Sequence, residues 1–291
     1  MSGPKARTGI AARYLAYWGL SFPPFGPDWA PQRFFLTSTA EEALARAEFA
    51  VTRGYAAVLI SGLAGVGKSW FLRWMIDQWR SPRAMGFYLS TLGRSRELWL
   101  TELAMQLGVI QPPGSPVRLW REISQRILAA CLSDQPCVLA VDDVSSAEPS
   151  LISMLWALAQ LTARGRHPTL VLAGRSESTF SGREPFADWI DMRIVLEPWS
   201  EEEVLRFLCY RIQSAGREPK DVFTKDAMEN ISRLTGGIPR HVNRLAEWCL
   251  VAAAGADVRP IDGELVEEVY DEFYRHLDTE WQISQSALVS S

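Results

Sequence analysis

Gly62-Leu63-Ala64-Gly65-Val66-Gly67-Lys68-Ser69 has the spacing Gly-x-x-x-x-Gly-Lys-Ser, and those residue types in that order suit one task, wrapping a backbone around a polyphosphate. The glycines let successive N–H groups converge on an anion, while Lys68 adds a point charge aimed at the β and γ oxygens. Ser69 supplies a hydroxyl ligand for Mg²⁺, and the backbone from Gly62 through Trp70 is the candidate nucleotide cradle. The same segment taken blandly is a glycine-rich strand-to-helix turn with an exposed lysine. Its context favours the cradle, because Tyr55–Ile60 reads as a buried strand before it and Trp70–Ile76 as the start of an apolar helix whose dipole faces the anion.

A second chemical stretch is Cys137-Val138-Leu139-Ala140-Val141-Asp142-Asp143, an apolar run that ends in two acids. A buried parallel strand of this kind delivers carboxylates at its C-terminal edge. Asp142 is then the Mg²⁺ ligand, directly or through water, and Asp143 stands where a general base or water-orienting carboxylate is required. Taken alone the pattern also describes turn chemistry; downstream of a phosphate loop it reads as catalytic. Thr169–Ala173 is a further buried strand, and Arg175 just beyond it brings a polar side chain to the edge where the γ-phosphate is sensed. Met192–Leu196 closes the run of strands and carries one charge, Arg193.

These residues need a scaffold, and the chain supplies strands alternating with helices, which is the pattern of a parallel α/β sheet binding its ligand at the strand C-termini. Helices are expected from a capping box at Ser38–Glu42 to Gly54, over 96–107, 117–132 and 150–163. From Trp199 the pattern turns to helices only, beginning with the capping box Ser200-Glu201-Glu202-Glu203 and a second start at Thr224, then a helix after Gly236-Gly237-Ile238-Pro239-Arg240 and a last one over 262–277. The expected divisions are a flexible N-terminus at 1–15, the α/β core at 16–198, a small α-helical domain at 199–278 and a polar tail at 279–291. Tyr17–Asp28, dense in aromatics and prolines, reads as an ordered irregular segment. It reads as a strap across the core, as part of the lining for an adenine ring, or as both.

Composition sets bounds on partners. The 47% hydrophobic and 22% charged content is that of a globular protein, and a net charge of −4 gives no global reason to bind nucleic acid or anionic membrane. Cys131, Cys137, Cys209 and Cys249 have no metal-binding spacing and read as reduced thiols of a cytoplasmic protein. The longest apolar stretches fall short of the roughly 20 residues that span a bilayer, so no transmembrane segment is expected.

In this order the motifs resemble the AAA+ ATPases of the bacterial general secretion pathway protein A type, which are P-loop NTPases. The most specific pieces are Tyr17-Trp18-Gly19-Leu20 with Pro24-Phe25, and Gly236-Gly237-Ile238-Pro239-Arg240 with Asn243-Arg244-Leu245; Tyr210-Arg211-Ile212 with Ala215-Gly216 looks like the family's first lid helix. The resemblance covers about residues 15 to 275. It implies a five-stranded parallel sheet of order 5-1-4-3-2 with helices on both faces, a helical lid closing on ATP, and function as a homo-oligomer. It also implies roles: Lys68 and Ser69 on phosphate and Mg²⁺, Asp142 on the metal, Arg240 reaching the γ-phosphate from the lid, and Arg193 either a finger into a neighbouring subunit or a surface strand residue.

Two departures matter. Asp143 stands where the family has glutamate, one methylene longer, and misplacing an attacking water by about 1 Å costs on the order of 100-fold. Arg175 replaces a glutamine and cannot accept a hydrogen bond. The resulting expectation is an ATP- and Mg²⁺-dependent ATPase that moves a protein partner, with secretion or envelope machinery as candidates; the alternative is an ATP-bound switch that hardly turns over. A third class, a DNA-associated regulator similar to transposition ATPases or initiator-like AAA+ proteins, is permitted by local arginine clusters including Arg94, Arg96, Arg164 and Arg166, for which solvated helix ends are the simpler account.

Overall fold

A computed structural model describes residues 10–26, 34–79, 84–112, 114–133, 135–175 and 187–274. They fall into two compact units, one running from Trp29 to Glu197 and the other joining the preceding residues to those from Pro198 onward.

In the first unit, strands β1 (Ala57–Ser61), β2 (Met85–Ser90), β3 (Cys137–Asp142), β4 (Thr169–Ala173) and β5 (Met192–Val195) form one parallel sheet in the order β2-β3-β4-β1-β5. This is the expected 5-1-4-3-2 order. β1, β3 and β4 are buried at every position, which is why they read as unbroken apolar runs. Their alternate side chains still serve opposite faces. Leu59, Leu139, Val141, Leu170 and Leu172 enter one core with helices α4 (Arg96–Gln106), α5 (Pro116–Leu132) and α6 (Pro149–Ala159). Val58, Ile60, Val138, Ala140, Val171 and Ala173 enter another with α2 (Ser38–Arg53) and α3 (Lys68–Trp79).

Helix ends differ from expectation where local hydrogen bonding offers something better. Thr37 rather than Ser38 caps α2, its hydroxyl accepting from the Ala40 N–H at 3.2 Å. α6 stops at Ala159 instead of running to residue 163, because Ala163 and Arg166 exchange backbone hydrogen bonds of 2.8 and 3.0 Å across a turn with both Arg164 and Gly165 left-handed.

The second unit holds α7 (Glu201–Ser214), α8 (Lys225–Thr235), α9 (Pro239–Ala256) and α10 (Gly263–Tyr274). Ser200 and Glu203 form a reciprocal capping box at the start of α7. The unit also contains α1 (Ile10–Trp18), which corrects two sequence expectations. Residues 10–15, expected in a flexible terminus, lie in that helix, and residues 16–26, expected in the α/β core, pack on the helical unit. The cause is aromatic burial: Trp18 is 1% exposed and donates its indole N–H to the Leu250 carbonyl at 2.9 Å. Phe25 lies 6.1 Å from Phe207 and 6.3 Å from Phe223, and the Arg211 guanidinium donates to the Pro24 carbonyl. The aromatic-proline stretch is therefore a strap laid over helices. Residues 1–9 and 279–291 lie outside the described residues. Among the described residues no helix is long and apolar enough to cross a membrane.

Candidate functional site

The five parallel strands end on one edge, and that edge collects the chemistry. β1 ends at Ser61, whose carbonyl accepts the Leu196 N–H at 2.8 Å, so the chain just beyond β5 backs the loop. Gly62 follows with φ 149°, and a Cβ there would stand 2.4 Å from the Leu196 carbonyl oxygen; only glycine fits this approach. Gly65 and Gly67 adopt φ 86° and 103°, while Val66, 5% exposed between them, is a wedge into the core that fixes the loop. The exposed Ala64 and the half-buried Leu63 complete the turn.

Lys68 opens α3, and its ammonium donates to the carbonyls of Gly62 at 2.7 Å and Leu63 at 2.8 Å. The loop thus folds around its own lysine, holding a cation at its mouth, and the donor set fits a polyphosphate. Ser69 is half-buried beside it, and Trp70 is 38% exposed.

On β3, Asp142 is 3% exposed and each of its oxygens has one donor. Tyr88 Oη donates to Oδ2 at 2.7 Å, and the Asp143 N–H donates to Oδ1 at 2.9 Å. A carboxylate oxygen has a second lone pair, so a cation or its waters still find acceptors here. Burial first, then the Asp142 carboxylate, hold the Tyr88 hydroxyl well above the usual phenol range, with Arg73 opposing. Among the described residues no group of three or more His, Cys, Asp or Glu could hold a metal. The donor set fits Mg²⁺, which keeps waters and takes one or two protein ligands alongside phosphate oxygens.

Asp143 takes a left-handed backbone, φ 59° and ψ 31°, at the start of a 3₁₀ turn over Val144–Ser146. Its carboxylate accepts from the Ser90 hydroxyl at 3.1 Å and its carbonyl from Thr91 Oγ1 at 2.7 Å. Arg175 is exposed two residues past β4, and its backbone N–H donates to the Ser145 hydroxyl at 2.9 Å. The loop, Asp142, Asp143 and Arg175 therefore share one edge.

Arg193 is exposed at the second position of β5, an edge strand, in register with Leu59. Arg240 is exposed in the first turn of α9, in the helical unit, after Pro239 at the helix start. The arginines considered for DNA have local roles: Arg94 pairs with Glu102 at 2.9 Å and Arg96 with Glu97 at 2.8 Å, while Arg164 and Arg166 sit in the turn after α6. Burial pushes the Cys137 and Cys249 thiols up to about 12, which makes them unreactive.

Sequence reasoning missed Tyr88, Ser90, Thr91 and Ser145. The strand at 86–90 is readable from sequence, but that Tyr88 and Ser90 stand in register with Ala140 and Asp142 is set by strand pairing, which no local pattern reveals.

The pattern of the AAA domain family matches residues 52–179. Over 265 residues the chain is 26% identical to general secretion pathway protein A of Aeromonas hydrophila. That match takes in 89% of this chain and 48% of the other protein, so the chain spans about half the length of the curated relative. Among solved structures, ORC2 of Aeropyrum pernix, in its ADPNP-ADP complexes, is similar with TM-score 0.67 at 17% identity, over 86% of this chain and 71% of that one. Cdc6p of Pyrobaculum aerophilum gives 0.66 at 18% identity, over 86% and 70%. The Thermotoga maritima RuvB Holliday junction branch migration motor gives 0.56 at 17%, over 82% and 70%. At such identities the structural likeness speaks for the fold. Residues 52–179 thus match the AAA domain family, the parallel sheet has the P-loop NTPase fold, and the chain is similar to general secretion pathway protein A over most of its length.

Proposed function

We propose that the chain binds ATP with Mg²⁺ on the Gly62–Ser69 loop and hydrolyses it to drive a conformational change in a protein partner or in an assembly of its own copies. The observation that carries this reading is the Lys68 ammonium, held by two carbonyls of the glycine loop at the sheet edge where β3 presents Asp142. ATP displaces those carbonyls: Lys68 turns to the β/γ oxygens, and the N–H groups from Gly65 to Trp70 at the helix start close on the phosphates. Ser69 and Asp142 would hold Mg²⁺, which would supply charge neutralisation on those oxygens. Asp143 orients the attacking water, while Arg175 stabilises charge on the γ-phosphate. Arg240 in the helical unit and Arg193 in a neighbouring copy complete the cation set. The similarity to general secretion pathway protein A supports secretion or envelope machinery as the partner.

One observation favours a second reading, a switch that binds ATP and turns it over slowly. Asp143 is held by Ser90 on a strained left-handed backbone, so its short carboxylate is fixed where it stands. Steady-state phosphate release separates the two. The ATPase reading expects measurable wild-type turnover that falls about 100- to 1,000-fold in Lys68→Ala, the cost of removing a preorganised cation at the phosphates. Turnover at background in wild type, rising on the order of 10- to 100-fold in Asp143→Glu, sinks the ATPase reading and leaves the switch. A duplex DNA shift that needs ATP and weakens with salt would bring the DNA-bound class back.

A further inference from the structure

Asp142 and Ser69, the two protein groups of the metal site, come from different elements, β3 and α3, and one side chain touches both. Tyr88 stands on β2, next to β3, where its hydroxyl donates to Asp142 Oδ2 at 2.7 Å. The Arg73 guanidinium lies over its ring, 4.8 Å from the centroid. Arg73 is four residues after Ser69, on the same face of α3. The chain of contacts therefore runs from Ser69 through one turn of helix to Arg73, across the Tyr88 ring and into the metal carboxylate. We propose that Tyr88 is a positioning residue of the metal site: it fixes the rotation of the Asp142 carboxylate and ties it to the helix that carries Lys68 and Ser69. This rests on the ATP and Mg²⁺ reading of the loop.

The physical case is one of lone pairs. With Tyr88 on Oδ2 and the Asp143 N–H on Oδ1, the carboxylate plane has two anchors and one open lone pair on each oxygen. Removing the hydroxyl leaves Oδ2 in a 3% exposed side chain without its donor, and the carboxylate pivots about the remaining anchor. Partners of this kind that orient a metal ligand typically carry 10- to 100-fold of metal affinity.

Tyr88→Phe removes one oxygen and keeps the ring under Arg73. Mn²⁺ binding is read by electron paramagnetic resonance of the free ion in the presence of ADP, and metal-free nucleotide binding by fluorescence of N-methylanthraniloyl-ADP in EDTA. The expected result is Mn²⁺ affinity weakened about 10- to 100-fold, with ADP affinity in EDTA unchanged and the melting temperature lowered only by the few degrees that one lost buried hydrogen bond costs. A structural role alone would not separate those readouts. If wild type binds the ADP probe and Mn²⁺, and Tyr88→Phe binds Mn²⁺ within twofold of it, Tyr88 has no positioning role and the ATP reading stands. If wild type binds neither probe, both fall. Should Tyr88→Phe fail to fold, Arg73→Gln alters an exposed side chain only; Mn²⁺ affinity is expected to drop about two- to fivefold, and an unchanged value overturns the proposal.

Discussion

Each unit contains a tyrosine that donates to a sequestered carboxylate, and the two pairs differ in what the carboxylate has left over. At the sheet edge, Tyr88 and the Asp143 N–H anchor Asp142, one on each oxygen, and the remaining lone pairs stand on the edge that carries the phosphate loop. In the helical unit, Tyr14 on α1 donates to Glu247 on α9, whose other oxygen is buried with no hydrogen-bond partner among the described residues. Burial raises the Glu247 carboxyl above its usual range, while Tyr14, the Phe25 amide and Arg211 pull the other way. The pairing is alike in chemistry and opposite in consequence. On the proposed reading Asp142 keeps lone pairs for a cation, whereas Glu247 ties the N-terminal helix to α9 through Tyr14.

The sharpest way to break this contrast is to remove each carboxylate. Asp142→Ala is expected to lower phosphate release about 100- to 1,000-fold, with little change in melting temperature. Glu247→Gln, which still offers an oxygen to Tyr14, is expected to leave phosphate release within about twofold. If the Glu247 variant lost turnover as Asp142→Ala does, the division into a ligand carboxylate and a structural one would collapse.

A second test uses the glycine that each unit cannot replace. A Cβ on Gly62 would meet the Leu196 carbonyl oxygen at 2.4 Å, and one on Gly237, with φ 69°, would meet the Trp199 carbonyl oxygen at 2.0 Å. Both obstacles are backbone, so neither yields by rotating a side chain. Each alanine substitution is expected to cost about 1–3 kcal/mol in urea unfolding. Gly62→Ala should also weaken binding of the ADP probe, whereas Gly237→Ala should act on the helical unit's stability. Equal loss of ADP binding in both would mean that Gly237 belongs to the nucleotide site.

How much of this was legible depended on sequence distance. The loop, Asp142, Asp143 and Arg175 could be read because each lies at or just past the end of an apolar strand, β1, β3 or β4, and parallel strands put their ends on one edge. The strand order and the helical region after Trp199 were readable too, through the resemblance and the change of pattern. Tyr88 was not, since its partner is 54 positions away and only the β2–β3 register aligns them. The placement of residues 16–26 went wrong for the same reason. Trp18 lies in a stretch readable as ordered, but its hydrogen bond to the Leu250 carbonyl joins positions that no local pattern connects.

The smallest effects lie inside α9, where two titrating groups pull stability in opposite directions. The Glu247 carboxyl is raised from 4.5, so between that pH and its higher folded value the native state holds a proton that the unfolded chain has released, and stability falls as pH rises. His241 is lowered from 6.5 by burial, then by Arg244 and Arg240, so as pH drops below 6.5 the unfolded chain takes up a proton first and stability falls as pH falls. Glu247→Gln should therefore melt on the order of 2 °C above wild type at pH 8, with the gap closing toward pH 4. His241→Gln should remove the wild-type loss below pH 6.5 while leaving the alkaline side unchanged. A Glu247→Gln chain whose advantage grew as the pH was lowered would show that Tyr14 and Arg211, not burial, set that carboxyl.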